Sequence, residues 1–506
     1  MNESGPYLAY TSLRRQSSTC SISPISRSEN MYTFYIAVAS LVIGFMVYSK
    51  VVEHVFHPDD RKTPALELTD GVDYVTVKPR RAFLIQLLNI AGTGPIFGAI
   101  MGAMWGPVVF IWIVAGTILG GAVHDYMCGM ISMRNNGRSV TELIAKYLGA
   151  PLRLIVTVFT LVTLIMVAVV FTNSSAQLLE TLTDVNIWFW IAMIFGYFIV
   201  AAMLPIDKFI GRFYPIFGIL LVVMAVGIVL GLIVGGYSFP DVSFTNQHPE
   251  GTPIWPFMFI TVACGAISGF HATQAPLISR CLRSEKEGRN VFYGAMVAEG
   301  LIALVWVAAG MAYFGSTDLL YQTISVEGVS SAVYEISYGT MGALGGFLAV
   351  LGVIICPVSS SDTALRSARL IISDYFKIEQ KALAKRGAIM AAFLIVCTVL
   401  MFVDFTILWR YFTWFNQTLA MIVLWTASAY LVINSRNRLY PLITALPAAF
   451  MSAVTCTYIL TASEGLGLPY GLSSVLGSLF AASCFAYFLY RSKILTYLSA
   501  DLSPDN

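Results

Sequence analysis

Charge is what this sequence has least of. Asp, Glu, Lys and Arg make up 11% of 506 residues, where a soluble protein carries about 25%. With 57% hydrophobic residues and a mean hydropathy of +0.75, the chain is expected to be an all-α polytopic membrane protein. The net charge of +2 says nothing about nucleic acid, and no such partner is expected. Paired cysteines are missing too. The 8 cysteines include no CxxC, and all but Cys20 lie in or beside apolar stretches. Packing is therefore expected, not a disulfide framework or a zinc site. Residues 1–30 are polar and Ser-rich with no hydrophobic region, so no signal peptide is expected there. A disordered tail is expected there, and both Met1 and Met31 stand as candidate starts.

At about 20 apolar residues per crossing, thirteen spans are expected. They are 31–53, 82–104, 107–132, 152–177, 187–204, 213–234, 255–277, 291–314, 342–365, 386–405, 408–433, 440–462 and 471–490. With the first segment placed outside and the sides alternating, every Lys and Arg falls inside except Arg14, Arg15, Arg27 and Arg410. The outer loops at 235–254 and 315–341 hold neither residue. This positive-inside asymmetry supports the count, with the C-terminus cytoplasmic.

Two of the spans are interrupted. The stretch 255–283 carries Cys264-Gly265-Ala266-Ile267-Ser268-Gly269, followed by His271, Thr273, Gln274 and Pro276. Backbone polar groups in hydrocarbon must be satisfied internally, so a break survives only within protein or beside a cavity. A kinked helix with small residues for close packing fits this stretch, and so does a discontinuous helix at a binding site. Span two holds Asn89-Ile90-Ala91-Gly92-Thr93-Gly94-Pro95, a second interruption five spans earlier. Five is odd, so the two segments cross in opposite directions, as inverted repeats require. Spans 2–6 and 7–11 are the expected repeats, between one leading and two trailing spans. Substitution of Gly231, in span six, is expected to be near neutral.

Ionisable residues at membrane depth are costly and mark function. They are His124, Asp125, His271, Glu299 and Asp362. His124 and Asp125 are adjacent on a helix and are expected to serve different partners, Asp125 with an inner-loop arginine or in substrate chemistry. Glu299 lies near a span end, where it either snorkels or carries a proton. The run 356–364 packs Ser359, Ser360, Ser361, Asp362 and Thr363 into span nine. Those hydroxyls either bond back to their own helix or offer oxygen ligands to a cation. Asp362 and Arg366, four apart, are placed to pair.

The strings AGTGPIFG, GAVHDYM, ACGAISGFHATQ and SSSDTALRSAR resemble the carbon starvation protein A family of peptide transporters, within the amino acid–polyamine–organocation superfamily. The resemblance covers most of the chain from about Met31. It implies uptake of short peptides or pyruvate across a bacterial inner membrane, coupled to protons, in the response to carbon starvation. It also implies a LeuT-like 5+5 inverted-repeat core, broken in spans two and seven. The organisation expected is a tail (1–30), a leading helix (31–53), two five-helix repeats (82–234 and 255–433), two trailing helices (440–490) and a cytoplasmic tail (491–506). Gly92, Thr93 and Gly94 are expected to face Gly265, Ser268 and Gly269 across a substrate site lined by His271, Thr273 and Gln274. A substrate carboxylate would meet free backbone N–H groups there. His124, Asp125, Glu299, Ser360, Ser361 and Asp362 are the candidates for ion coupling or gating, by proton or Na⁺. No catalytic residue, metal or cofactor is expected. An intramembrane metalloenzyme using His124, Asp125 and His271 lacks the compact ligand spacing such sites show. A starvation sensor lacks any soluble signalling domain.

Overall fold

Helix boundaries follow the punctuation of the sequence. The computed structural model describes residues 32–501 apart from 72, 204–205, 240, 242, 379–382 and 436. The tail expected at 1–30, Met31 and residues 502–506 lie outside the described residues. The elements, in chain order, are α1 (Tyr32–Phe56), α2 (Pro79–Ile90), α3 (Gly94–Trp105), α4 (Val108–Arg134), α5 (Val140–Leu148), α6 (Leu152–Thr183), α7 (Ile187–Met203) and α8 (Ile206–Val234). Then come α9 (254–261), α10 (His271–Ser279), α11 (Glu285–Phe314), α12 (Thr317–Glu327), α13 (Val329–Phe376), α14 (Leu383–Leu400), α15 (Phe405–Asn434), α16 (Leu442–Thr461) and α17 (Tyr470–Asp501). No strand occurs among the described residues.

α2 opens on Pro79, where a missing N–H costs nothing. α11 stops at Gly315, whose φ of +68° is a glycine conformation. The Ser316 side chain accepts from the Leu319 N–H to start α12, and Asp404 accepts from the Thr406 and Ile407 N–H groups to start α15.

Among the described residues, nine helices are long and apolar enough to cross a membrane, and the pair α2–α3, bent by 62°, makes a tenth crossing if taken as one. The spans expected at 187–204, 255–277 and 386–405 are not among these. The first is the 17-residue α7, the second is split into α9 and α10, and the third is the 18-residue α14. The loop expected at 315–341 is largely helical, holding α12 and the start of α13, which bends at Gly342 (φ +67°, ψ −173°). α13 also runs on to Phe376, past the expected end at 365.

α11 and α13 form the centre. Of their apolar windows 83% and 86% are buried, against 22% for α1 and 17% for α17. α1 and α17 instead expose Ile43, Met46, Val475 and Leu479. Such outward apolar faces match hydrocarbon, where burial is no requirement. α6 packs along α13, α8 against both α13 and α2, and α10 against α4. The two interrupted helices and α4 therefore meet around α11.

Candidate functional site

The break between α9 and α10 is a stretch of turns whose polar backbone groups are taken up by neighbours. Gly265 has φ +92°, and a Cβ there would lie 2.6 Å from that of Ala303, so only glycine fits. The Thr117 hydroxyl donates to the Gly265 carbonyl at 2.8 Å, and the Trp112 indole N–H donates to the Val262 carbonyl at 3.1 Å. Asn416 of α15 does more. Its carbonyl accepts from the Gly269 N–H at 3.2 Å, its Oδ1 accepts from the Phe270 N–H at 2.7 Å, and its Nδ2 donates to Ser268 Oγ at 3.0 Å. The expectation of a free donor at Gly269 is thus corrected: packing against α15 has already used it.

Between α2 and α3 the chain turns through Ala91, Gly92 and Thr93. The Gly92 N–H donates to the Ile90 carbonyl at 2.9 Å, and the buried Thr93 hydroxyl has no hydrogen-bond partner among the described residues. The two breaks touch. A Cβ on Gly94 would sit 2.0 Å from Cys264 Cβ, and one on Gly265 would be 3.6 Å from Pro95 Cα. Gly92 and Gly269 do not take part, because Gly92 lies against Phe171 and Gly269 against the α15 backbone.

Four fully buried ionisable groups stand behind this contact. Asp125 Oδ1 is 2.8 Å from His124 Nδ1, and Asp125 Oδ2 is 2.9 Å from His271 Nδ1. On the far side of the His271 ring, Nε2 lies 3.4 Å from Glu299 Oε2. Neither His271 Nε2 nor either Glu299 oxygen makes a hydrogen bond of good geometry. The chain His124–Asp125–His271–Glu299 thus joins α4, α10 and α11. Asp125 is not paired with a loop arginine, and its two oxygens reach both histidines although His124 is its neighbour. Glu299 is not a snorkelling residue; α11 holds it at the centre of the bundle. Cys264 Sγ, His271 and Glu299 offer ligand atoms all within 4.8 Å of one another, the group among the described residues that could hold a metal ion.

The remaining candidates lie apart from the break. Thr273 donates to the Phe270 carbonyl at 2.7 Å, while Gln274 Nε2 donates to Thr273 Oγ1 at 2.8 Å and Ser367 donates to the Thr273 carbonyl at 3.1 Å. These two residues therefore tie α10 to α13. Ser360 Oγ donates to the Leu88 carbonyl at 3.1 Å, whereas Ser361 Oγ is buried with no hydrogen-bond partner among the described residues. Arg366 Nε donates to Asp362 Oδ2 at 3.1 Å, and Arg366 also donates to the Ala201 carbonyl. Sequence reasoning missed Thr117 and Asn416, and read Cys264 as a packing residue of the break. Asn416-Gln417 in the aromatic stretch FTWFNQTL was the available signal, an amide pair at membrane depth.

An all-helical, multi-pass membrane protein organised around two interrupted helices in contact is the class that this fold and site define. Comparison with known proteins gives the family. The family model described as "Carbon starvation protein CstA" matches residues 29–188 and 174–317, and the chain belongs to that family. An uncharacterized membrane protein of Haemophilus influenzae is 43% identical over 59% of this chain and 95% of its own. The peptide transporter CstA of Escherichia coli is 24% identical over 90% of this chain and 85% of its own. The pyruvate/proton symporter BtsT of Escherichia coli is 28% identical over 56% of this chain and 50% of its own length. A crystal structure of a manganese transporter mutant from Eremococcus coleocola superposes with a TM-score of 0.53 at 12% identity, over 86% of this chain and 98% of that one. That likeness is one of fold alone.

Proposed function

We propose that the chain is a secondary active transporter that imports short peptides or a small carboxylate such as pyruvate, driven by protons, in the bacterial response to carbon starvation. The buried chain His124–Asp125–His271–Glu299 carries this reading. Ionisable groups this deep are expensive to bury and serve proton or ion pathways. Asp125 Oδ2, accepting from His271 Nδ1–H, orients the His271 ring so that Nε2 faces the Glu299 carboxyl group 3.4 Å away. A proton taken up from one side of the membrane by this pair, and later released to the other, changes the net charge directly behind the contact of the two breaks, whereas its passage from one atom to the other only relocates it.

With Gly94 packed on Cys264, no substrate fits between the breaks, so the conformation is closed and transport requires them to part. Thirteen crossings, a cytoplasmic C-terminus and a 5+5 inverted repeat suit this reading. The basic-residue asymmetry and the opposed directions of the two interrupted spans support them. A Na⁺-coupled variant draws on the hydroxyls of α13, where Ser360 meets the carbonyl end of α2. The test is uptake of labelled pyruvate and alanylalanine into proteoliposomes under an inward proton gradient, an inward Na⁺ gradient, or neither. Accumulation under the proton gradient alone is expected. Accumulation that follows Na⁺, or no accumulation of either compound, rejects the reading.

A further inference from the structure

A cavity of about 280 Å³ lies between α2, α10 and α13, away from the proton chain. Its lining is graded. Arg81 is exposed, Asp73 and Arg280 are half-buried, and Asn89, Thr363 and Arg366 are buried. The mouth therefore lies at the loop before α2. The closed end lies at Asn89, two residues before the break that begins at Ala91. Three arginines line this space, Arg81 on α2, Arg280 just past the end of α10 and Arg366 on α13, with Asp73 as the one carboxylate residue of its lining. Like charges converge in this way when an anion is to be shared among them.

The arginines are also held in place. Arg280 Nε donates to the Gly137 carbonyl at 2.9 Å, and its guanidinium sits 5.2 Å from the Tyr74 ring centre. That bond uses one of five donors, leaving the terminal amino groups for a ligand. Arg366 is fixed by Asp362 and the Ala201 carbonyl. At the closed end, Asn89 is 2% exposed, yet its Oδ1 has no hydrogen-bond partner among the described residues. A buried amide oxygen without a partner is costly, and a ligand hydroxyl or N–H would satisfy it.

We infer that this cavity binds a small carboxylate anion, held through its two oxygens by Arg81, Arg280 and Arg366, with Asn89 at the inner end. Planar guanidinium donors match a carboxylate in bidentate fashion. The site deepens the transport reading and rests on it for its place in the cycle, as the station between the parted breaks and the side where the basic loops lie. An anionic lipid headgroup shares the chemistry, but it is tethered at the surface, whereas the unpartnered amide lies at the buried end.

The test is equilibrium binding of pyruvate, alanylalanine and alaninamide to the purified full chain in nanodiscs of neutral lipid, repeated with anionic lipid. Alanylalanine, whose N–H groups can reach the Asn89 amide oxygen, is expected to bind more tightly than pyruvate, which has only its carboxylate for the arginines; alaninamide, which lacks a carboxylate, is not expected to bind. Arg280→Gln should weaken binding tenfold or more, Arg280→Lys by less, and Asn89→Asp should weaken it by placing a negative charge at the closed end. Arg138→Gln, a surface arginine outside the cavity, should leave binding unchanged. Equal affinity of wild type, Arg280→Gln and Asn89→Asp overturns the inference. So does binding of alaninamide, or displacement of the carboxylates by anionic lipid alone. Carboxylate binding without uptake would reject the transport reading and leave this site standing. Uptake with an unaffected Arg280→Gln would do the reverse.

Discussion

At the scale of single residues, the glycines of the two breaks do different work. Gly94 lets α3 approach Cys264, with a Cβ there only 2.0 Å from Cys264 Cβ. Gly94→Ala is expected to destabilise by about 1–3 kcal/mol through overpacking. Cys264→Gly in the same chain should recover most of the loss, because it removes the atom being struck, a coupling that a double-mutant cycle reads directly. Thermal unfolding of the two single variants and the double variant measures it. A Gly94→Ala protein that melts like wild type would mean that the breaks do not touch. Gly269 is a different case: a Cβ there would be 2.3 Å from the Asn416 carbonyl oxygen, so Gly269→Ala injures packing and says nothing about a ligand. Gly231 is no neutral control either, since its Cβ would lie 2.1 Å from the Thr340 carbonyl oxygen. Period and composition show that a helix contains glycine; only the neighbouring helix decides what that glycine touches.

At the scale of elements, one ion pair gathers four of them. Glu285, at the start of α11 and 1% exposed, accepts from Arg134 Nε and Nη2, each at 2.9 Å, and from the Asp59 N–H at 3.0 Å. Arg134 also donates to the Tyr430 hydroxyl at 3.1 Å and lies 4.0 Å over the Phe56 ring. α1, α4, α11 and α15 are therefore clasped at one end of the bundle. Removing one partner of a buried pair strands the other charge and costs about 3–5 kcal/mol. Glu285→Gln should therefore lower the melting temperature clearly. Lys286→Gln, next in sequence, breaks only an exposed pair with Asp60 and should cost under about 1 kcal/mol. Equal melting of the two variants would show that the clasp contributes nothing. The interrupted helices were legible in the sequence because glycine and proline stand out within apolar runs. The residues that satisfy them were not, because Thr117 and Asn416 are ordinary polar residues some 150 positions from their partners.

At the scale of the whole molecule, topology and coupling are the matters to test. Single cysteines at exposed positions of 366–385, such as 375–377, should be labelled only from the cytoplasmic side, and at exposed positions of 315–341, such as 325–327, only from outside. The concentration of basic residues in the first stretch and their absence from the second motivate this. Labelling of both from one side would end the thirteen-span arrangement. The ionisable residues could be picked out from sequence as too polar for their depth, but their assembly could not. His124 and Asp125 share one helix, His271 follows a break, and Glu299 lies near the end of an expected span. Only the packing of α4, α10 and α11 brings them within 2.8–3.4 Å steps. The central claim is that this chain carries the coupling proton. Its most direct test compares gradient-driven accumulation with counterflow exchange in proteoliposomes of wild type, Glu299→Gln and His271→Gln. Both variants should lose proton-driven accumulation while retaining exchange of labelled for unlabelled substrate. Wild-type accumulation by both variants would contradict the account.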